Sequence, residues 1–155
     1  MADVDADTPV EPFDANLAGV QALIPEVELL DTLAIGQRGV TKDQVRVWLV
    51  ELTGHVLLRL SRYTALDDVR QDVVVAMARD ILHNGAASYA EAAAFPERTG
   101  RAETSYDQVL WKRYLGDRDA LEAQVDEWLD AGGGPGAGGI SASFPCPAIP
   151  DSIGF

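Results

Sequence analysis

The stretch Thr41-Lys-Asp-Gln-Val-Arg-Val-Trp-Leu-Val-Glu-Leu-Thr-Gly-His-Val-Leu-Leu-Arg-Leu-Ser-Arg-Tyr63 decides the fold class of this chain. Its first four residues have the form of a capping box, in which the Thr41 and Gln44 side chains each bond the backbone N–H group at the other's position. Apolar residues then recur at helical spacing: Val45, Leu49, Leu52, Val56, Leu60 and Tyr63. The stretch therefore predicts a long helix that runs to about Tyr63.

This helix is more apolar than one buried face requires. The residues that widen its stripe are Val47, Trp48, Val50, Leu57 and Leu58. A helix that is apolar on more than one side is buried on more than one side, and we expect the extra side to form a subunit contact. Gly54 in mid-helix costs about 1 kcal/mol against alanine, and a close helix crossing would offset that cost.

Shorter patterns on either side predict further helices. Asn16 is a candidate N-cap for a helix from Leu17 to Ile24, and Pro25 separates it from a second short helix, Glu26 to Ile35. A second long helix is expected from Leu66 to about His83, with Leu66, Val69, Val73, Met77 and Ile81 as its buried stripe.

Glycines predict where the later helices end. Asn84-Gly85 is expected to stop the second long helix, and Ala86 to Phe95 to form a third. Ser105-Tyr-Asp-Gln108 predicts another capping box, whose helix ends at Gly116, and Asp117 then opens the last helix. We predict an all-α fold, a small helical bundle with two long antiparallel helices plus shorter helices, a flexible N-terminal arm and an extended C-terminal tail.

The composition divides the chain into four parts. Residues 1–16 are an acidic arm, in which Val10 and Phe13 are able to dock locally, and residues 17–131 are the helical domain. Residues 132–139 are a Gly-rich linker, and residues 140–155 are an extended docking tail. The docking residues of the tail are Ile140, Phe144, Pro145, Ile149, Ile153 and Phe155. The tail buries these either on another chain or, alternatively, folded back on its own body.

Charge and motif content argue against several functions. Twelve basic against 25 acidic residues give a net charge of −13, which repels phosphate backbones. The acidic N-terminus is unlike a signal peptide, and we expect a soluble intracellular chain without a membrane span. Neither His55 nor His83 has a partner at metal-ligand spacing, and Cys146 has no base near it in sequence. We therefore expect no enzyme activity, no metal and no cofactor.

Several stretches resemble one known family. They are Arg70-Gln-Asp-Val-Val-Val-Ala-Met-Ala-Arg79, Asn84-Gly-Ala-Ala-Ser-Tyr-Ala-Glu-Ala-Ala-Ala-Phe95, Tyr106-Asp-Gln-Val-Leu-Trp-Lys-Arg-Tyr114 and Trp128-Leu129. Together they resemble head-to-tail adaptors of long-tailed actinobacterial phages, within the family of phage head–tail connectors. The resemblance spans roughly residues 17 to 131, so it covers the predicted helical domain.

The resemblance implies a structural role in the virion. Adaptors of this family form a ring beneath the portal protein. The resemblance implies roughly a dozen subunits, in a closed cyclic assembly with head-to-tail interfaces. The ring seats the stopper or tail-terminator proteins, and the genome passes through it without specific binding. The implied location is the neck of the virion, and the host cytoplasm during assembly. Candidates for lining the channel are Glu51, Asp67, Asp68 and Asp72.

Two other classes of function stay open from the sequence. A small acidic helical regulatory module, of the antitoxin or inhibitor type, would use its charge to imitate nucleic acid. The second class is an enzyme subunit whose active site is built at an interface. A ligand or metal that stayed bound on purification would favour this class.

Overall fold

A computed structural model describes residues 6–98 and 105–132 and is all-α, as the sequence predicts. Its helices are α1 (Leu17–Leu23), α2 (Lys42–Leu60), α3 (Asp68–Ala94) and α4 (Tyr106–Asp130). A 3₁₀ turn, Ser61–Ala65, joins α2 to α3. In this part of the chain the strands are short: β1 (Leu29–Leu30) pairs in parallel with β2 (Val40–Thr41).

Helix α3 is the centre of the bundle and packs against α4, α2 and α1. Trp48, early in α2, meets Tyr89, late in α3, so these two helices run antiparallel. Ser88 of α3 donates a hydrogen bond to the carbonyl of Asp107, at the start of α4, so α3 and α4 are antiparallel as well. The described residues thus contain three long helices where the sequence predicted two.

The start of α2 confirms the predicted capping box. Thr41 Oγ1 accepts a hydrogen bond from the Gln44 backbone N–H at 3.1 Å, and Gln44 Oε1 accepts one from the Thr41 N–H at 3.0 Å. The buried residues of α2 are Val45, Leu49, Leu52, Thr53, Val56 and Leu60. The predicted apolar stripe is therefore the face that α2 turns to the core.

The predicted stop at Asn84-Gly85 is wrong, because α3 continues through it to Ala94. The Asn84 side chain donates to the Asp80 carbonyl at 2.8 Å, one turn earlier in the same helix. A Cβ atom on Gly85 would lie 2.8 Å from Tyr114 Cδ1 and 2.9 Å from Leu52 Cδ1. Gly85 is thus a contact point between helices, and the predicted third helix is the second half of α3.

The predicted break at Gly116 is also wrong. α4 runs unbroken from Tyr106 to Asp130, with the exposed Gly116 in its interior. Ser105 occupies the N-cap position, but its side chain makes no capping hydrogen bond to a described residue. Packing of the long α4 against α3 outweighs the intrinsic cost of one exposed glycine, about 1 kcal/mol.

The predicted helix from Glu26 to Ile35 is absent from the described structure. Leu29 and Leu30 instead pair with Val40 and Thr41, and Val40 is fully buried. The Gln21 side chain donates to the carbonyls of Ile24 and Val27, at 2.9 and 2.7 Å. These bonds satisfy backbone acceptors at the end of α1 and leave the following residues extended.

The segment before α1 packs into the same core. Val10, Phe13 and Ala15 are buried, so Val10 and Phe13 dock locally, as the sequence allows. The Phe13 ring lies 5.7 Å from the Tyr63 ring, measured between centroids, and the Phe13 carbonyl accepts a hydrogen bond from Arg79 Nε at 3.3 Å. The packed body thus includes residues that precede Leu17.

Candidate docking surfaces

One side of α2 points away from the core and carries three exposed apolar side chains. Val47, Val50 and Leu58 have relative exposures of 58%, 47% and 80%. Together with Gly54 they recur every three or four residues, which places them in one line along the helix. A Cβ atom on Gly54 would meet no described atom within 4 Å. We call Val47, Val50, Gly54 and Leu58 the α2 outer row.

The other two predicted interface residues of α2 lie elsewhere. Trp48 and Leu57 are half-buried and pack against the core. Trp48 meets Tyr89 edge to face, and Tyr89 stacks on Trp111 with 5.4 Å between ring centroids. Trp111 in turn stacks on Tyr114 at 4.8 Å. These rings join α2, α3 and α4, so Trp48 serves the bundle's own packing.

A second exposed apolar line lies on the first half of α3. Val69, Val73 and Met77, spaced four residues apart, are all exposed, and Val69 keeps 70% of its surface in solvent. The sequence had placed them in the buried stripe of this helix, which is wrong for all three. We call them the α3 outer row.

The reason lies in which residues α3 does bury. Val74, Ala78 and Leu82 are completely buried, and Arg70 is buried with its guanidinium near the Trp128 ring, 5.6 Å from the centroid. Small residues such as Ala78 let the neighbouring helices come close. The spacing of apolar residues favoured the α3 outer row instead, because its side chains are larger and more apolar. A signal was available in the sequence, because Ala78, Gly85 and Ala86 share the opposite side of the helix.

The predicted channel-lining acids fall into two groups. Glu51, Asp68 and Asp72 are exposed, and Asp68 and Asp72 lie one turn apart beside the α3 outer row. Asp67 instead caps α3: it accepts a hydrogen bond from the Arg70 N–H at 2.8 Å and pairs with the Arg70 guanidinium at 3.1 Å. The structure therefore gives Asp67 a role in holding the helix.

All of the predicted docking residues of the tail lie outside the described residues: Ile140, Phe144, Pro145, Ile149, Ile153 and Phe155. The same holds for the linker beyond Gly132. Where these residues bind remains a prediction.

A polar cleft that sequence reasoning missed lies between α1, α3 and α4. Its lining includes Asn16, Gly19, His83, Asn84 and Asp117. His83 Nε2 accepts a hydrogen bond from the Asn16 N–H at 3.1 Å, and burial lowers the pKa of His83. Burial also raises the pKa of Asp117, against the opposing effect of Arg113. Asn84 Oδ1 is buried without a hydrogen-bond partner among the described residues.

A second polar cluster lies at the C-terminal end of α3. Glu91 is buried, and its carboxylate pairs with the Arg98 guanidinium at 3.3 Å. Burial raises the pKa of Glu91, an effect that Arg98 opposes and that Glu26 and Asp107 reinforce. The Arg98 guanidinium also lies over the Phe95 ring, 3.7 Å from its centroid. These contacts fix the end of α3 where it leaves the bundle.

Across residues 6–98 and 105–132, no three His, Cys, Asp or Glu side chains are grouped so that they could hold a metal ion. In the same ranges none of the helices combines the length and the apolar character of a membrane span. No family model, curated protein or solved structure matches this chain.

Proposed function

We propose that this chain is a structural virion protein, a head-to-tail adaptor that forms a ring between the portal and the stopper or tail. The observation that carries the proposal is the α2 outer row, where Val47, Val50 and Leu58 stand exposed on a helix whose other face fills the core. The resemblance of residues 17 to 131 to phage adaptors supplies the kind of assembly. In this role the chain docks and breaks no bond.

Exposed apolar side chains in a line favour a contact with another subunit. Full burial of one large apolar side chain contributes about 1.5–3 kcal/mol, so three of them supply a substantial contact. Gly54 adds a place where a partner backbone can approach closely, because it carries no Cβ atom. A ring needs such a surface on every subunit, facing a different surface on the next.

The acidic surface suits a channel through which DNA passes. Asp68 and Asp72 on α3 are exposed, and the chain carries a net charge of −13. Glu51 is exposed as well, but it lies one turn from Val47, on the side of α2 that the subunit contact would cover. Like charges repel, so an acidic wall lets the phosphate backbone slide without sticking. Asp67 fits this role less well, since its carboxylate is engaged by Arg70.

Quantitative mass spectrometry of purified virions tests the proposal by counting this chain against the portal protein. A ratio near one, at roughly a dozen copies, is the result expected for a closed neck ring. Absence of the chain from the particle would contradict the adaptor role. An acidic regulatory module would then be the better interpretation.

A pair of variants tests the surface itself. Leu58→Asp places a charge in the α2 outer row, and Ile35→Asp makes the same change at a fully exposed apolar residue outside it. We expect Leu58→Asp to abolish incorporation into particles, because an unpaired charge at a buried contact is costly, whereas Ile35→Asp should leave it unchanged. Equal incorporation of the two variants would show that the α2 outer row is not a subunit contact.

A further inference from the structure

We propose that the α3 outer row is the docking site for the tail of the same chain, with Ile140 and Phe144 packed along Val69, Val73 and Met77. This assigns an occupant to an apolar row to which the adaptor proposal gives no subunit contact. The inference does not depend on the ring, because it concerns how one chain covers its own apolar surface.

The surface is a line of three apolar side chains. Val69 is 70% exposed and Met77 41% exposed, with Val73 between them. Later in the helix, α1 covers the corresponding side, where His83 lies against Gly19. Within the described part of the chain, nothing takes the place of α1 over the first half of α3. An extended segment that lay there would continue the cover that α1 begins.

The last described residues of the chain lie near the start of α3. α4 ends at Asp130, and Trp128 in its last turn packs against Arg70, the neighbour of Val69. Residues 133–139 separate Gly132 from Ile140, and seven residues span at most about 25 Å. The α3 outer row is only about 12 Å long, at 1.5 Å for each of eight residues. The linker therefore reaches either end of the row.

The spacing of the tail matches the spacing of the row. In an extended chain the four residue steps from Ile140 to Phe144 cover about 13 Å, and the side chains of Ile140 and Phe144 point to the same side. That length is within about 1 Å of the distance from Val69 to Met77, about 12 Å along the helix. Both anchors of the tail can thus meet an apolar partner on α3 at once.

Charge favours the tail, rather than the body of a second copy, as the occupant of the α3 outer row. Asp68 and Asp72 are exposed beside the row, so an incoming acidic surface meets repulsion. The α2 outer row of another copy would bring Glu51 with it, whereas residues 133–150 contain no charged residue. This stretch of the chain can approach the two carboxylates without adding a like charge.

Cys146 provides the probe, since it is the sole cysteine of the chain and lies in the tail. A nitroxide spin label on Cys146 of the full chain should broaden the methyl signals of Val69, Val73 and Met77. The broadening should be the same at all protein concentrations, and it should vanish when the nitroxide is chemically reduced. Unaffected signals, or broadening of Val47 and Val50 instead, would overturn the proposal.

A mixing experiment separates the tail's own body from a second copy. Spin-labelled chain without isotope label is mixed with methyl-labelled chain that carries Cys146→Ser. We expect no broadening in the mixture, because the tail covers the α3 outer row of its own chain. Broadening in the mixture would place the tail on a neighbouring copy and would contradict the proposal as stated.

A variant without any spin label gives an independent readout. Phe144→Ser removes one anchor and should shift the methyl signals of Val69, Val73 and Met77, and leave those of the α2 outer row unchanged. Shifts in neither row would overturn the proposal. These measurements use the isolated chain, so their outcome is separate from the virion count that tests the adaptor role.

Discussion

The imidazole of His83 accepts a hydrogen bond from the backbone N–H of Asn16, with 3.1 Å between the two nitrogens. This bond joins the N-cap of α1 to the middle of α3. The Asn16 side chain in turn accepts from the Gly19 N–H at 2.8 Å, and the same imidazole occupies the space over Gly19. The position of α1 therefore depends on a neutral histidine packed against a bare glycine.

Gly19→Ala should destabilise the protein, because the new Cβ atom would overlap the His83 ring. Either the His83 ring turns away and loses its hydrogen bond with Asn16, or α1 moves, and overpacking of this kind costs about 1–3 kcal/mol. That loss exceeds the gain of up to about 1 kcal/mol that alanine brings to a helix. Urea unfolding measures the difference.

The matched control for this substitution is Gly116→Ala. Gly116 is also helical, but a Cβ atom there would meet no described atom within 4 Å. We expect a gain of about 0.5–1 kcal/mol at this position. If both variants gained stability, the contact between His83 and Gly19 would be wrong.

The stability of the protein should fall in mild acid because of His83. Burial is the main cause that lowers its pKa from the ordinary value of 6.5, Asp80 opposes the shift and Arg79 adds to it. Below pH 6.5 the unfolded chain binds a proton that the folded chain refuses, so the free energy of unfolding decreases as pH falls toward the lowered pKa. Above pH 6.5 the contribution of His83 is fully present.

Comparison with His83→Gln separates the pH dependence due to His83 from the pH dependence due to the carboxylates, which both proteins share. Glutamine offers an oxygen to the Asn16 N–H but does not titrate, so the difference in unfolding free energy between the two proteins should shrink as pH falls from 6.5. His55→Gln, the same exchange at an exposed position of α2, serves as the control. A difference between native protein and His83→Gln that does not change with pH would refute the assignment.

The sequence predicts helices best where local chemistry and packing agree. Thr41 and Gln44 make the capping box that their spacing suggests, and the stripe from Val45 to Leu60 is the buried face of α2. The outer face of α2 was also recognisable, since Val47, Val50 and Leu58 exceed what one buried face needs. Here the local pattern and the tertiary structure require the same residues.

The sequence is a poor guide where a glycine serves a contact or where a helix buries small residues. The sequence predicts that helices end at Gly85 and Gly116, but with tertiary packing α3 and α4 continue through these glycines. The α3 outer row was assigned to the core because Val69 and Met77 are more apolar than Ala78. Burial on α3 is decided by how closely the neighbouring helices approach, and the spacing of the most apolar residues alone does not show that distance.

Gly85→Ala tests the interpretation of Gly85 as a contact point. A Cβ atom would lie 2.8 Å from Tyr114 Cδ1 and 2.9 Å from Leu52 Cδ1, so either these two side chains or α3 itself must shift. We expect a loss of about 1–3 kcal/mol in thermal or urea unfolding, which is the usual cost of overpacking. Unchanged or increased stability would mean that the three helices do not meet at Gly85.

Asp67→Ala should destabilise α3, whereas Asp72→Ala should not. Asp67 caps the helix and pairs with Arg70, whose side chain is only 6% exposed, and loss of an N-cap alone costs about 0.5–2 kcal/mol. Asp72 is an exposed acid one turn into the same helix, so its removal should change stability by less than about 0.5 kcal/mol. Equal effects in chemical unfolding would contradict the capping role.

Asp67→Asn separates the two contributions of Asp67. Asparagine is as good an N-cap as aspartate but cannot form the ion pair with Arg70. Its stability should therefore fall between those of the native protein and Asp67→Ala. If Asp67→Asn matched Asp67→Ala, the ion pair rather than the cap would account for the whole effect.

Gly54→Ala should have opposite effects on the single chain and on the assembly. In the single chain a Cβ atom at Gly54 would meet no described atom within 4 Å, so alanine should stabilise α2 by about 0.5–1 kcal/mol. In a ring, where a partner helix approaches the α2 outer row closely, the same methyl group should hold the helices apart and lower incorporation into particles. Thermal unfolding of the purified chain measures the first effect, and the copy number per virion measures the second.

Gly116→Ala, with the same open surroundings on α4, should stabilise the chain without lowering incorporation. A Gly54→Ala variant that assembled as well as Gly116→Ala would mean that the glycine in the α2 outer row does not mark a close subunit contact.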